Sequence, residues 1–222
     1  AFDFGNYHAL VIGNSDYVYL ADLTTAKNDA VKITELLTTE YGFSVVTLLD
    51  ATRKQTIAAI NKYQRALGKN DNFLLYYAGH GRQDSTDEGY WQPIDAEQED
   101  DAQWLSATSI NRRLIKFTAN NILVVADSCY AATQLRGLSA LADDDSNTAS
   151  KSSNTTLLQQ LSNTQTRVAI TSGGFEPVAD SLGSAEHSVF AKYLIEYFIE
   201  KKINFFLLVK NKKEYSVIKN KY

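Results

Sequence analysis

Two residues capable of covalent and acid–base chemistry follow buried-strand patterns in this chain. His80 lies in the segment Tyr77-Ala-Gly-His-Gly81, and Cys129 lies in Ala126-Asp-Ser-Cys-Tyr130. Ligands of an open α/β sheet bind beyond the carboxyl ends of its strands, so the imidazole and the thiol face one cleft if the two strands are neighbours. A thiol attacks as the thiolate, and a nearby histidine can act as general acid and base. The pattern therefore predicts a Cys–His catalytic pair.

The same two segments offer backbone groups for catalysis. The glycines around His80 allow close backbone approach and leave amides available. We expect the peptide N–H groups of Gly81 and Cys129 to stabilise an oxyanion. A simpler interpretation makes Cys129 a small buried hydrophobic residue and His80 a structural or merely exposed one. The occurrence of both at two strand ends favours the catalytic interpretation.

The elements that must position these residues alternate between strand and helix patterns. Apolar runs predict strands at 8–13, 44–49, 72–78, 121–126 and 167–171, with a possible sixth at 205–209. Helical spacing of apolar residues predicts helices that include Ala30 to Leu37, Ile57 to Leu67 and Val189 to Ile199. Thr52 and Gln55 form a capping-box pattern before the second of these helices. The alternation predicts an α/β three-layer sandwich, with a mostly parallel central sheet and helices on both faces.

Two polar segments interrupt this alternation. Residues 81–104 and 133–156 are predicted to be long irregular loops, which in a compact domain are usually functional or disordered. The last segment, 200–222, carries seven lysines and weak periodicity. We therefore expect one domain over residues 1–199 and a poorly specified Lys-rich C-terminal segment over 200–222.

Composition excludes several classes of function. The net charge is −4, from 22 basic and 26 acidic residues, so no strong positive field exists to bind nucleic acid. The sequence contains no apolar run near the roughly 18 residues of a membrane helix. One cysteine excludes an internal disulfide framework, and three histidines with one cysteine predict no metal site. No glycine-rich phosphate-binding motif follows the first strand, which argues against a nucleotide-binding doubly wound domain.

An ordered set of motifs resembles the caspase fold, and most closely the prokaryotic caspase homologues called orthocaspases and their metacaspase relatives. The set is Ala9-Leu-Val-Ile-Gly13, Asn28-Asp29-Ala30, Tyr76-Tyr-Ala-Gly-His-Gly81, Pro93-Ile-Asp95, Asp127-Ser-Cys129 and Thr171-Ser-Gly-Gly174. It spans about Tyr7 to Ile199. Histidine precedes cysteine by about fifty residues, as in caspases. The resemblance implies a cysteine endopeptidase that uses His80 and Cys129 without a cofactor.

The resemblance also implies the residue after which the peptide is cut. Metacaspase-like enzymes hold a basic P1 side chain with two acidic residues, which here are Asp29 and Asp127. A buried carboxylate pair is costly unless a cation joins it, so the pocket should select Arg or Lys. Caspases instead carry an arginine before the first helix and Gln-Ala-Cys at the nucleophile, whereas this chain has Leu23-Thr-Thr25 and Asp-Ser-Cys. Simpler roles are a helix N-terminal acid for Asp29 and a strand-end hydrogen-bond acceptor for Asp127.

Family features suggest regulation by two further segments. The segment 133–156 follows the nucleophile, where caspase-fold enzymes often carry a processing segment, and Arg136 and Lys151 are the candidate self-cleavage sites. The acidic stretch 97–101 is similar to the acidic segments on which calcium dependence rests in some metacaspases, although such a run is usually only a solvated face.

Three further positions near the predicted cleft can be assigned. In metacaspases a serine often stands at the position of Ala78, so the contact that this serine gives the pocket is missing here. His187 is predicted to start the last helix without a chemical role, and residues 14–17 to shape the cleft rim.

The expected partners are a peptide or protein with a basic P1 residue, but no nucleic acid and no membrane. The chain has no methionine, even at position 1, so we expect it to start within a longer product that carries other domains. A cytoplasmic location is expected, with the oligomeric state open. One alternative function stays open, an inactive caspase-like scaffold within a larger signalling or defence protein. The presence of both His80 and Cys129 argues against it.

Overall fold

The central sheet of the protein, seen in a computed structural model, is built from five parallel strands. The structure describes residues 5–129, 166–172 and 186–201. The strands of this sheet are β1 (Tyr7–Gly13), β2 (Ser44–Leu49), β3 (Asn72–Ala78), β7 (Asn121–Asp127) and β8 (Thr166–Thr171). Their order is β2-β1-β3-β7-β8. β3 and β7 are buried along their whole length, as expected for strands covered on both faces.

Helices cover the two faces of this sheet. Helices α1 (Ala26–Thr39) and α4 (Val189–Lys201) pack on one face, where Ile33 and Leu37 meet Phe190 and Leu194. Helices α2 (Arg53–Ala66) and α3 (Ala107–Leu114) cover the other. The capping box at α2 is present, since the Thr52 side chain accepts from the Gln55 amide and the Gln55 side chain accepts from the Thr52 amide. The predicted three-layer α/β fold is confirmed.

The expectation of an irregular loop over residues 81–104 is wrong. A small antiparallel sheet forms there from β4 (Gly81–Gln83), β5 (Gly89–Trp91) and β6 (Leu105–Ser106), with a 3₁₀ turn at Asp101–Gln103. Trp91 is 1% exposed and its ring stacks on Tyr77 of β3 at a centroid distance of 4.3 Å. This packing anchors the small sheet to the main one. The three short strands were not predicted because two or three residues are too few to show the alternation of apolar and polar residues that marks a strand.

Several sequence predictions lie outside the described residues. These are the possible strand at 205–209, most of the segment 200–222, the segment 133–156 with Arg136 and Lys151, and Gly173 and Gly174. No described helix is long and apolar enough to cross a membrane.

Candidate active site

His80 and Cys129 follow neighbouring strands of the sheet. β3 and β7 are neighbouring parallel strands, and their last residues, Ala78 and Asp127, are register partners. His80 and Cys129 each follow two residues later, at equivalent positions beyond strands that lie about 5 Å apart. Both residues line one cleft and both are partly exposed. His80 and Cys129 thus line one cleft at the carboxyl end of the sheet, and their action as a catalytic pair stays a prediction.

Contacts on both sides of the ring orient His80. Its Nε2 lies 2.8 Å from the carbonyl oxygen of Ala21, and a carbonyl can only accept, so Nε2 carries the proton. In the neutral imidazole Nδ1 is then the basic nitrogen. The ring packs against Tyr17 at a centroid distance of 4.6 Å. These contacts fix which nitrogen can exchange a proton with a substrate or thiol.

Two buried tyrosine hydroxyls hold the backbone around His80. Tyr17 Oη accepts from the His80 amide at 2.8 Å and donates to the Gln92 carbonyl at 3.1 Å. Tyr77 Oη donates to the His80 carbonyl at 2.8 Å. A Cβ on Gly79 would lie 2.7 Å from Tyr77 Oη and 2.8 Å from Tyr17 Oη, so only glycine leaves room for both hydroxyls. The rim segment 14–17 predicted from sequence thus includes a residue that supports the histidine directly.

Two buried carboxylates lie in the same cleft as the predicted pair. Asp29, in the first turn of α1, is 0% exposed, and Asp127, at the end of β7, is 7% exposed. The cleft contains about 370 Å³ of empty space, part of it open solvent. Its described lining residues are Leu23, Thr25, Ala26, Asp29, Ala78, Gly79, His80, Asp127, Ser128, Cys129 and Ser188. Neither Lys nor Arg is among them, so this part of the cleft has an acidic character.

The beginning of α4 contacts both carboxylates, which the sequence did not predict. His187 Nδ1 donates to Asp29 Oδ1 at 2.7 Å, and the Ser188 amide donates to Asp29 Oδ2 at 3.3 Å. Ser188 Oγ donates to Asp127 Oδ2 at 2.5 Å and accepts from the Ala191 amide at 3.0 Å. His187 was predicted to start the last helix, but that helix begins at Val189, and His187 lies just before it in contact with Asp29. Ser188 was recognisable as an N-cap, but no local pattern shows its contacts with residues 159 and 61 positions away.

Burial and hydrogen bonding change the pKa of Asp29 in opposite directions. Desolvation raises the pKa of the Asp29 carboxyl above its ordinary value, while the hydrogen bonds from His187 and Ser188 partly offset this effect. The cleft therefore holds a carboxylate whose charge is incompletely compensated by the protein. A cation entering the cleft would relieve this cost.

The Gly81 amide is predicted to stabilise an oxyanion, but Gly81 is not among the residues that line the cleft. The Gln92 amide donates to the His80 carbonyl at 3.0 Å, which makes Gly81 and Trp91 a non-hydrogen-bonded pair of the β4–β5 ladder. The Gly81 N–H therefore faces away from β5. Its role as oxyanion donor, like that of Cys129, stays a prediction.

The acidic stretch 97–101 makes local contacts with the 3₁₀ turn and Trp104, and calcium activation through it stays a prediction. Within residues 5–129, 166–172 and 186–201 no group of three or more histidine, cysteine, aspartate or glutamate side chains could hold a metal ion. Asp100 caps the 3₁₀ turn by accepting from the Ala102 amide, and the carbonyl of Glu97 accepts from Trp104 Nε1. These contacts give the stretch a structural role.

Known proteins from human, mouse and a bacterium resemble parts of this chain or nearly all of it. The human and the mouse (Mus musculus) mucosa-associated lymphoid tissue lymphoma translocation protein 1 are each 36% identical over 88 residues, which cover 40% of this chain and 10% of those proteins. The chain thus matches about a tenth of the length of these relatives. The crystal structure of protein GSU0716 from Geobacter sulfurreducens matches with a TM-score of 0.62 at 21% identity, over 94% of this chain and 89% of that one, which supports the fold alone.

The family follows from the match that covers most of the chain. The sequence model of the caspase domain, Peptidase_C14, matches residues 6–212. The match includes the parallel sheet, both carboxylates, His80 and Cys129. This chain belongs to the Peptidase_C14 family of caspase domains.

Proposed function

We propose that this chain is a cysteine endopeptidase that cleaves peptide bonds after Arg or Lys. The observation that carries the proposal is one cleft lined by His80, Cys129 and two buried carboxylates, Asp29 and Asp127. The family match supports a peptidase, and the register of β3 and β7 supports a Cys–His pair. The resemblance to orthocaspases and metacaspases, which include enzymes specific for basic residues, agrees with the acidic lining.

The chemistry follows an acyl-enzyme route. The thiolate of Cys129 attacks the scissile carbonyl, and the developing oxyanion accepts hydrogen bonds from the Gly81 and Cys129 amides. The C–N bond breaks as His80 protonates the amine leaving group, which leaves a thioester. Water, activated by His80 as base, then attacks the thioester, releases the carboxylic acid and regenerates the thiol. The Nε2–H bond to the Ala21 carbonyl leaves Nδ1 to carry these protons.

Charge supports a basic P1 side chain over an acidic one. An Asp at P1 would meet two carboxylates and, in the described lining, no Lys or Arg. A guanidinium or ammonium would instead pair with both acids in a site shielded from water, where charge-assisted bonds are strong. Ala78 at the cleft leaves space without adding a hydrogen-bonding group.

A panel of fluorogenic peptides that differ only at P1 (Arg, Lys, Asp and Ala) tests the proposal. We expect cleavage after Arg and Lys, and its loss in the Cys129→Ala and His80→Ala variants. Asp127→Asn should lower kcat/KM for the Arg peptide by roughly 30-fold to a few thousandfold, since loss of one partner of a buried charge pair amounts to about 2–5 kcal/mol. The exposed Asp87→Asn is the matched control and should retain full activity.

The outcomes of this panel separate the alternatives. Cleavage only after Asp would overturn the pocket assignment but not the catalytic pair. No cleavage by the folded protein of any peptide would favour the inactive scaffold. Self-processing at Arg136 and Lys151 is part of the same proposal, and persistence of the same fragments in a variant with both changed to Ala would refute it. Calcium activation and a cytoplasmic location stay predictions.

A further inference from the structure

His187 does not line the cleft itself, but it bonds to Asp29, a carboxylate that does. Its Nδ1 donates to Asp29 Oδ1 at 2.7 Å, and its side chain is 23% exposed whereas that of Asp29 is 1% exposed. A carboxylate oxygen can only accept, so Nδ1 carries a proton in both the neutral and the charged imidazole. The hydrogen bond therefore persists in both states, while the charge next to Asp29 differs by one unit.

We propose that His187 is a specificity-determining residue of the S1 pocket, whose protonation weakens the pocket's preference for a cationic P1 side chain. The inference rests on the proposed function, because it concerns the same pocket. With neutral His187 an incoming guanidinium meets the charges of Asp29 and Asp127. With charged His187 it meets a pocket in which one of those charges is already neutralised. Two cations on one carboxylate also repel each other, and this repulsion is only weakly screened in a buried site.

Imidazole is the side chain whose ordinary titration falls between pH 5 and 8, so the comparison is made across that range. The other titratable and charged side chains at this end of the cleft have contacts of their own. Asp127 is bonded to Ser188 Oγ, and Tyr76 of β3, whose pKa burial raises well above its usual value, stays neutral. Glu186, which precedes α4, is exposed, and Lys192 of α4 lies over the ring of Tyr193. On α1 Lys27 is paired with Asp16 and Asp50. In the described part of the chain, His187 is thus the histidine that bonds to a pocket carboxylate.

Binding and protonation must then be linked. If a cationic P1 side chain binds less well when His187 is charged, the preference for that side chain falls as pH falls. One pKa unit of coupling corresponds to about a tenfold change in binding. We therefore expect the preference for Arg over a neutral side chain of the same shape to fall on the order of tenfold between pH 8 and pH 5.5.

The experiment compares two peptides that differ only by Arg or citrulline at P1. Citrulline is a neutral near-isostere of Arg, so the ratio of the two kcat/KM values cancels the pH dependence of Cys129 and His80, which act on both peptides. The ratio should fall about tenfold from pH 8 to pH 5.5 in the wild-type protein and change less than twofold in His187→Asn. The asparagine amide keeps a donor near the position of Nδ1 without a titrating charge.

The outcomes distinguish this inference from the proposed function. Preferential cleavage of the Arg peptide with a ratio that does not vary with pH refutes the role of His187 and leaves the peptidase intact. An equal fall in His187→Asn also refutes it, since the titration would then belong to Asp29. If neither peptide is cleaved, the proposed function itself fails.

A second measurement does not depend on turnover or on the folding of the His187 variant. N-acetyl-arginine methylamide is titrated into the Cys129→Ala protein in two buffers of different ionisation enthalpy. Binding should release a fraction of a proton near pH 6.5 and almost none at pH 8. Measurable binding without proton release at pH 6.5 would overturn the inference.

Discussion

The substitution Tyr17→Phe tests whether the tyrosine behind His80 supports catalysis. It removes one hydroxyl and keeps the ring that packs on the imidazole. The His80 amide then loses its acceptor at 2.8 Å. The Gln92 carbonyl can accept from Tyr77 Oη at 3.0 Å instead, because the His80 carbonyl still accepts from the Gln92 amide. The perturbation therefore leaves one part-buried backbone donor, that of the predicted catalytic histidine, without its partner.

The expected magnitude follows from that single orphaned donor. An unsatisfied buried donor costs about 1–3 kcal/mol. For a chain of this size, 1 kcal/mol corresponds to about 2–4 °C in Tm, so Tm should fall by about 2–12 °C. A displaced His80 should also lower kcat by on the order of tenfold to a hundredfold, because small misplacements of a catalytic group are costly.

Thermal unfolding and kinetics on the Arg peptide measure these two effects. Tyr63→Phe is the matched control: the Tyr63 hydroxyl donates to the Ala9 carbonyl at 2.8 Å, and Tyr63 packs in the core between the sheet and α2. This variant should lose stability and keep its kcat. If Tyr17→Phe changes neither Tm nor kcat, or if both variants lower kcat equally, the positioning role of Tyr17 is refuted.

Three further predictions concern the acidic end of the cleft. Burial raises the pKa of Asp29, so the folded state favours its protonated form. Protonation therefore stabilises the folded protein below the ordinary pKa of an aspartate, and this stabilisation is lost as pH rises through the raised pKa of Asp29. The Tm of Asp29→Asn should therefore rise relative to that of the wild type as pH increases from 4 to 7. A fall of this difference would contradict burial as the cause of the raised pKa. Ser188→Ala removes the helix cap and the donor to Asp127, so denaturant unfolding should show a loss of about 1–2 kcal/mol; an unchanged midpoint would argue against both contacts. Gly13→Ala places a Cβ 2.5 Å from the carbonyl oxygen of Ala26, so it should lower stability by about 1–3 kcal/mol and weaken cleavage after Arg, since α1 carries Asp29; wild-type stability and activity would refute this close contact.

The sheet was predictable because its strands have a simple physical signature. Residues 72–78 and 121–127 are nearly continuous apolar runs, and a strand buried on both faces requires that pattern. The start of α2 followed from its capping box, which depends only on residues three apart. Local chemistry thus sufficed for the elements that carry His80 and Cys129.

The contacts that complete the cleft were not predictable from local patterns. His187 meets Asp29 across 158 positions, and the Ala21 carbonyl meets His80 across 59. Both are set by how α1, α4 and the segment after β1 pack at the end of the sheet. The strands of two or three residues between 81 and 106 were missed because their partners, and not their own sequence period, define them.

Covalent labelling tests the central claim most directly. A peptide acyloxymethyl ketone with Arg at P1 alkylates a thiolate held in a matching pocket, and Cys129 is the only cysteine in the chain. We predict stoichiometric labelling of Cys129 in intact-protein and peptide mass spectra, its loss in His80→Ala, and little reaction with the same reagent carrying Asp at P1. Absence of label on the folded protein, or equal labelling by the Arg and Asp reagents, would contradict the account.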